Sequence, residues 1–246
     1  MVAALVFAAS AALTITWCGS MAAMPGMDMP GGWVMSMTWM RMPGQGWLDL
    51  AVMFCGMWAV MMIAMMMPVF APELIRFRRG QARGDARGLA SLAFAASYFG
   101  IWIAAGIGIL PLGLVFAELA MRSEAVSRIT PVLAGLVVMV AGATQFSGWK
   151  QRQIACCRHT ALDRASSTNY LEAGRAGARL GLDCLYCCAG LTAVLLVIGV
   201  MDLLAMALVT MAISAERLMT ARIRVARLVG LVLLAGGGMM LFRAAL

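Results

Sequence analysis

The stretch Trp47–Ala71 reads WLDLAVMFCGMWAVMMIAMMMPVFA and holds one charged residue, Asp49. A helix needs about 20 mostly apolar residues to cross the hydrocarbon core of a bilayer. This stretch therefore predicts a membrane-spanning helix. Five further apolar stretches fall at about 2–17, 89–117, 131–148, 184–213 and 226–242. We expect an all-α, polytopic transmembrane bundle of about six helices.

The composition supports a membrane protein. The chain is 63% hydrophobic and 12% charged, whereas a soluble domain carries roughly 25% charged residues. The longest polar interval, 149–183, is too short and too poor in apolar residues to bury a core of its own. We therefore predict a single integral membrane domain over 1–246, with a methionine-rich loop at 18–46 and a cysteine-bearing connector at 149–183.

Local signals predict where some helices begin and end. Residues 1–17 lack the positive start of a signal peptide and are expected to remain as a helix. Pro68 and Pro72 are expected to end the second helix, since proline cannot continue the hydrogen-bond ladder. Thr130-Pro131 is expected to start the fourth, because proline is tolerated in a first turn.

The net charge of +8 comes almost entirely from arginine. Basic residues gather in cytoplasmic loops of membrane proteins, so we interpret this charge as topology and expect a lipid bilayer, not nucleic acid, as partner. The clusters at 76–87 and 150–179 are placed inside a bacterial inner membrane, and the loops at 18–46 and 118–130 outside. With six crossings, the arginines of 217–227 would face outward, which conflicts with the rule.

Methionine is concentrated in the first loop, at positions 21, 24, 27, 29, 35, 37, 40 and 42. Thioethers suit copper(I) and stay useful on an oxidising side, where free thiols are lost. Met27 and Met29 are candidate ligands. The alternative is packing at the membrane interface, which Trp33, Trp39 and Trp47 would support.

Methionine continues into the second helix. Met53, Met57 and Met61 are spaced four residues apart, which places their thioethers near one helix face. They could form a ladder for a soft ion. Methionine is also an adaptable filler between helices, and packing remains the alternative.

Five of the seven cysteines form two groups, Cys156-Cys157 and Cys184-Leu185-Tyr186-Cys187-Cys188. Clustered thiols can bind soft metals or exchange disulfides. We expect the second group to open the fifth helix, where three sulfurs would converge at a positive helix N-terminus. The connector could bring Cys156, Cys157 or His159 to them. Cys18 and Cys55 are interpreted as apolar packing residues.

Asp202 lies inside the fifth apolar stretch. An ionisable residue in hydrocarbon is a functional candidate. Ion binding and an interhelical hydrogen bond are both open.

Three segments resemble a known family: Trp58–Pro68, Gly181–Cys188 and Gly199–Leu203. They are similar to predicted metal-binding integral membrane proteins catalogued as the domain of unknown function 2182 family, over roughly residues 47–220. Cys156-Cys157-Arg158 corresponds to the family's first cysteine element, and Glu216-Arg217 to a Glu-Lys pair. The resemblance implies a helical membrane fold with a metal site at the cysteines. His159-Thr160 and Asp202 depart from the family's proline and asparagine.

Together these features predict a membrane protein that binds, delivers or transports a soft metal ion, foremost copper(I), with zinc as the alternative. The alternative functions are a thiol–disulfide oxidoreductase and a non-catalytic subunit of a larger membrane complex. A membrane-protein partner or a second copy of the chain is compatible with all three. The candidate metal ligands are Cys156, Cys157, His159, Cys184, Cys187, Cys188, Met53, Met57, Met61, Met27, Met29 and Asp202.

Overall fold

The computed structural model describes residues 2–22, 26–40, 44–81, 86–148, 150, 169–219 and 221–245. Helices dominate these ranges, so the all-α prediction is confirmed. In chain order they are α1 (Val2–Ala22), α2 (Trp47–Gly80), α3 (Ala86–Arg122), α4 (Glu124–Thr144), α5 (Tyr170–Ile198), α6 (Leu203–Leu218) and α7 (Arg222–Ala245).

Six of the helices in the described ranges are long and apolar enough to cross a membrane; the exception is α6, with 16 residues. Two are much longer than a bilayer needs. With 34 and 37 residues, α2 and α3 are about 51 and 56 Å long, against about 30 Å of hydrocarbon. Their surplus length extends the bundle beyond a single bilayer thickness.

A small hairpin between α1 and α2 was not predicted. Strands β1 (Met27–Met29) and β2 (Trp33–Met35) pair antiparallel, and a single 3-10 turn, Met37–Trp39, follows. The hairpin contacts the start of α4 through Ser127. The Trp33 indole Nε1 donates to the Ser127 carbonyl at 3.0 Å, and the Ser127 hydroxyl donates to the Pro30 carbonyl at 2.6 Å.

The predicted end of the second helix is wrong. Both Pro68 and Pro72 lie inside α2, which continues to Gly80. Each proline removes one helical hydrogen bond, but packing can compensate that loss in a membrane helix. The residues beside Pro68 are well packed, since Met67 and Val69 are 7% and 5% exposed. Asp49 does sit at the start of α2, where its carboxylate accepts from the Gly46 backbone N–H at 3.1 Å.

The predicted start of the fourth helix is also wrong. α4 begins at Glu124, and Pro131 lies within it. Ser123 alone separates α3 from α4, and its hydroxyl accepts from the Val126 backbone N–H. A serine N-cap is as strong a start signal as proline in the first turn. The expected loop over 118–130 is therefore reduced to this one residue.

The fifth apolar stretch forms two helices. α5 ends at Ile198, and α6 starts at Leu203. Gly199 has φ of +139°, a conformation that favours glycine, so the chain can leave the helix there. The Asp202 carboxylate Oδ1 accepts from the backbone N–H groups of Leu204 and Ala205 at 2.8 and 2.9 Å. Asp202 is thus an exposed helix cap, not a residue within a continuous helix.

The division of the fifth apolar stretch into α5 and α6 changes where the basic residues lie. Lys150 Nζ lies 2.8 Å from Glu216 Oε2, near the end of α6. The end of α6 and the residues after α4 therefore lie at one level of the bundle. This contact bears on the conflict noted for the arginines of 217–227, which six crossings would place opposite Lys150. Because α6 brings the chain back, the basic clusters can share one side, as the positive-inside rule requires.

Two glycines bring α5 against α3. A Cβ on Gly177 would collide with the Phe94 backbone carbonyl, and one on Gly181 would lie 3.0 Å from the Tyr98 carbonyl. Small residues at these positions let the two backbones approach closely, as is common between membrane helices. This contact places the middle of α5 beside Tyr98.

We predict that Gly177→Ala lowers the free energy of unfolding by about 1–3 kcal/mol, the usual cost of overpacking a filled interface. Gly100→Ala is the matched control, since a Cβ there meets open space. Thermal unfolding of both variants in the same detergent measures the difference. Equal melting temperatures for the two would contradict the close α3–α5 contact.

Candidate metal site

The cysteines of the second group lie in the middle of α5, not at its start. Asn169 caps the helix through its side-chain oxygen, which accepts from the Leu171 backbone N–H at 3.1 Å. Cys184 follows about four turns later. The predicted helix-terminus effect on the thiols is therefore wrong. The sequence does carry a signal for the observed start of α5, because Asn169 is a favoured N-cap residue and Glu172 follows three residues later.

The three thiols lie close together on α5, and the Cys187 thiol interacts with that of Cys188. Cys184 Sγ and Cys188 Sγ are 4.0 Å apart, as expected for positions i and i+4 on one helix face. Cys184, Cys187 and Cys188 are 1%, 3% and 2% exposed, so all three are in the core. They are free thiols.

Tyr98 of α3 contacts this pair. Its hydroxyl donates a hydrogen bond to Cys184 Sγ at 3.1 Å. The ring is held in place by Phe70 of α2, with centroids 4.7 Å apart, and by Phe99 at 5.1 Å. Tyr98 thus presents a fixed donor to the sulfur. The tyrosine was not singled out in the sequence, because its partner lies 86 residues away.

The methionines of α2 share the core with the thiols. Of the predicted ladder, Met57 and Met61 are 7% and 2% exposed, whereas Met53 is 44% exposed. Four adjacent methionines that were not proposed as ligands are also buried in the same cluster: Met62, Met65, Met66 and Met67. α2 therefore lines the core with thioethers over about three turns.

A buried ion pair adjoins the thiols. Besides its contact with Glu216, Lys150 Nζ donates to the Cys187 carbonyl at 2.7 Å. The two side chains are 4% and 3% exposed. Burial raises the pKa of the Glu216 carboxyl. For Lys150, burial favours the neutral amine, but Cys187 and Glu216 outweigh it and raise the pKa. We infer that the lysine stays charged.

Arg217 adds a second cation to this region. It is 9% exposed and lies within electrostatic range of Cys184 and Cys187. Lys150 and Arg217 thus place two positive charges near the thiols. Neither was proposed as a site residue from the sequence, although Lys150 is the only lysine in the chain.

The outer methionines divide into two kinds. Met29 is 8% exposed and packs with Met35 against Ala117 and Ala120 of α3. Met27 is 41% exposed. Met29 therefore fills a small core under the hairpin, and Met27 is the more accessible of the two thioethers.

Cys156, Cys157 and His159 lie outside the described residues. Within the ranges that the structure describes, no group of three or more His, Cys, Asp or Glu side chains is arranged to hold a metal ion. The described site is thus a thiol pair, Cys184 and Cys188, with the Cys187 thiol beside Cys188 and the α2 thioethers in the same core. Such a set is chemically soft.

The fold and this site define a helical protein of multi-pass membrane type with a buried sulfur-rich core. A family model described as PpoB2, copper chaperone, matches residues 55–240. The chain belongs to this family. No curated protein and no solved structure matches the chain. Membership supports copper handling in general, in agreement with the soft metal expected from the sulfur-rich segments. The matched family is described as copper-related and does not confirm the resemblance to the domain of unknown function 2182 family. α1 and the hairpin precede the matched region.

We predict that Lys150→Met lowers the free energy of unfolding by about 3–5 kcal/mol, because it leaves the Glu216 charge buried without its partner. The double variant Lys150→Met/Glu216→Met should recover most of the loss. Glu118→Gln is the control, since the Arg122–Glu118 pair is 77% and 52% exposed and such pairs contribute about 0–1 kcal/mol. Thermal unfolding in detergent measures all three. A Lys150→Met variant as stable as the control would contradict this interpretation.

Proposed function

We propose that this protein is a membrane copper(I) carrier that holds the ion at Cys184 and Cys188 and passes it to a recipient protein. The observation that carries the proposal is the buried thiol pair, 4.0 Å apart, with the Tyr98 hydroxyl on one sulfur. Membership of a copper-chaperone family supports the choice of metal.

The charges around the pair suit a monovalent ion. Thiols bind metal as thiolates, so loading releases protons. One copper(I) ion with two thiolates has a net charge of −1. Lys150 and Arg217 lie beside the pair and can balance that charge, and Glu216 offsets part of theirs. Cys187, whose thiol interacts with that of Cys188, is available as a third ligand.

The thioethers of α2 provide a route to the pair. Met53 is exposed at one end, and Met57, Met61 and Met62 continue into the core. Neutral thioethers hold copper(I) more weakly than thiolates do, so an ion entering along α2 would move toward the cysteines. Met27 on the hairpin is a candidate for first capture.

We place the protein in a bacterial inner membrane, with its arginine-rich helix ends in the cytoplasm. The hairpin would then lie on the outer side. Cys156, Cys157 and His159 would belong to the cytoplasmic side, where thiols stay reduced. They remain proposed ligands that could receive the ion from Cys184 and Cys188 or complete its coordination.

We predict that wild-type protein, reduced and anaerobic, binds copper(I) tightly and that Cys184→Ser/Cys188→Ser weakens this binding more than about 100-fold. Even removal of groups that only orient metal ligands costs 10–100-fold, and here the ligands themselves are lost. Competition with a chromophoric copper(I) chelator measures the affinity. Cys55→Ser is the matched control, since Cys55 is a partly buried cysteine in α2.

The same titration with zinc(II) separates the alternatives. Binding of zinc alone, lost in the double variant, would assign the thiols to a structural zinc site. Copper bound equally well by the double variant would contradict the proposed site. Absence of binding for either metal, together with reversible Cys184–Cys188 disulfide formation, would favour thiol–disulfide exchange.

A further inference from the structure

A second pair of sulfurs meets just beyond the C-terminal end of α5. Cys18 Sγ, in α1, lies 3.8 Å from Met201 Sδ, although 183 residues separate them. Cys18 is 3% exposed, and Met201 is partly buried. The chain thus brings a thiol and a thioether together from two distant segments. Cys18 lies before the matched family region, which begins at residue 55.

Both sulfurs are positioned by defined backbone. Met201 lies in the turn between α5 and α6, fixed on one side by Gly199 at φ of +139° and on the other by the Asp202 cap. Cys18 lies in the last turns of α1, which packs on α2 where Trp17 approaches Gly56. The contact therefore joins α1 to the short turn between α5 and α6.

The spacing suits one bound ion. A metal–sulfur bond is about 2.3 Å long, so two sulfurs that share an ion lie at most about 4.6 Å apart. The observed 3.8 Å is within that limit. A thiolate and a thioether are both soft ligands, and together they favour copper(I) over divalent ions that prefer nitrogen or oxygen.

This pair is separate from the thiol site. Cys188 and Ile198, the end of α5, are ten residues apart, or about 15 Å along the helix. Both sulfur pairs nevertheless border one continuous hydrophobic core. The same core contains the buried α2 methionines: Met57, Met61, Met62, Met65, Met66 and Met67.

We propose that Cys18 and Met201 form a second, entry site for copper(I), which loads the methionines of α2. This inference rests on the proposed function. The entry site offers one thiolate, whereas the Cys184–Cys188 pair offers two. The entry site therefore binds copper(I) more weakly than the pair does. Such an order of affinities would draw the ion from the entry site toward the thiol pair.

The test is a copper(I) titration of the full-length protein in detergent with two chelators of different strength. Wild type should bind one ion tightly and a second more weakly. Cys18→Ser should lose the weaker ion only, and Cys184→Ser/Cys188→Ser the tighter one only. Met201→Leu, which keeps the side-chain volume, should weaken the second site about tenfold or more without lowering the melting temperature. Cys55→Ser should bind as wild type does.

The two proposals fail in different ways. If Cys18→Ser and Met201→Leu both bind copper(I) as Cys55→Ser does, the entry site is wrong and the thiol site stands. If the double cysteine variant keeps the tight ion, the thiol site is wrong, whatever the result at Cys18. A melting temperature lowered by Met201→Leu with unchanged copper binding would show that the Cys18–Met201 contact serves packing.

Discussion

The buried ammonium of Lys150 fixes much of this structure. It contacts the Cys187 carbonyl of α5 at 2.7 Å and the Glu216 carboxylate of α6 at 2.8 Å, so it ties two helices to the segment after α4. Breaking such a pair strands a charge in the core, which is costly. The Lys150–Glu216 contact therefore requires the end of α6 to lie at the level of the segment after α4. The contact of Lys150 with the Cys187 carbonyl sets a positive charge beside the thiols.

The site then depends on close helix packing. Gly177 and Gly181 allow α5 to approach α3, and this approach puts the Tyr98 hydroxyl on Cys184. Across the core, α2 supplies thioethers instead of hydrocarbon side chains. The side chains that fill the interior therefore carry soft sulfur atoms in place of branched aliphatic groups, and the proposed copper(I) binding rests on this feature.

Apolar runs predicted the helices well, because burial in a membrane requires long uninterrupted stretches. Helix ends were predicted poorly where a proline was read as a boundary, or where a long hydrophobic run hid a weaker signal for a break. Pro68 and Pro131 lie inside helices, whereas Ser123 and Gly199, with less obvious signals, mark real breaks. The clustered cysteines indicated the site, but the contacts of Tyr98 and Lys150 with α5 are tertiary and leave no local pattern to detect.

The central claim is that copper(I) is held by sulfur inside the helical core. X-ray absorption at the copper edge, on reduced protein loaded with one equivalent, tests it most directly. We expect copper(I) to be coordinated by two or three sulfur atoms only, and this coordination to be lost in Cys184→Ser/Cys188→Ser. Coordination dominated by nitrogen or oxygen, or coordination unchanged in the double variant, would contradict it.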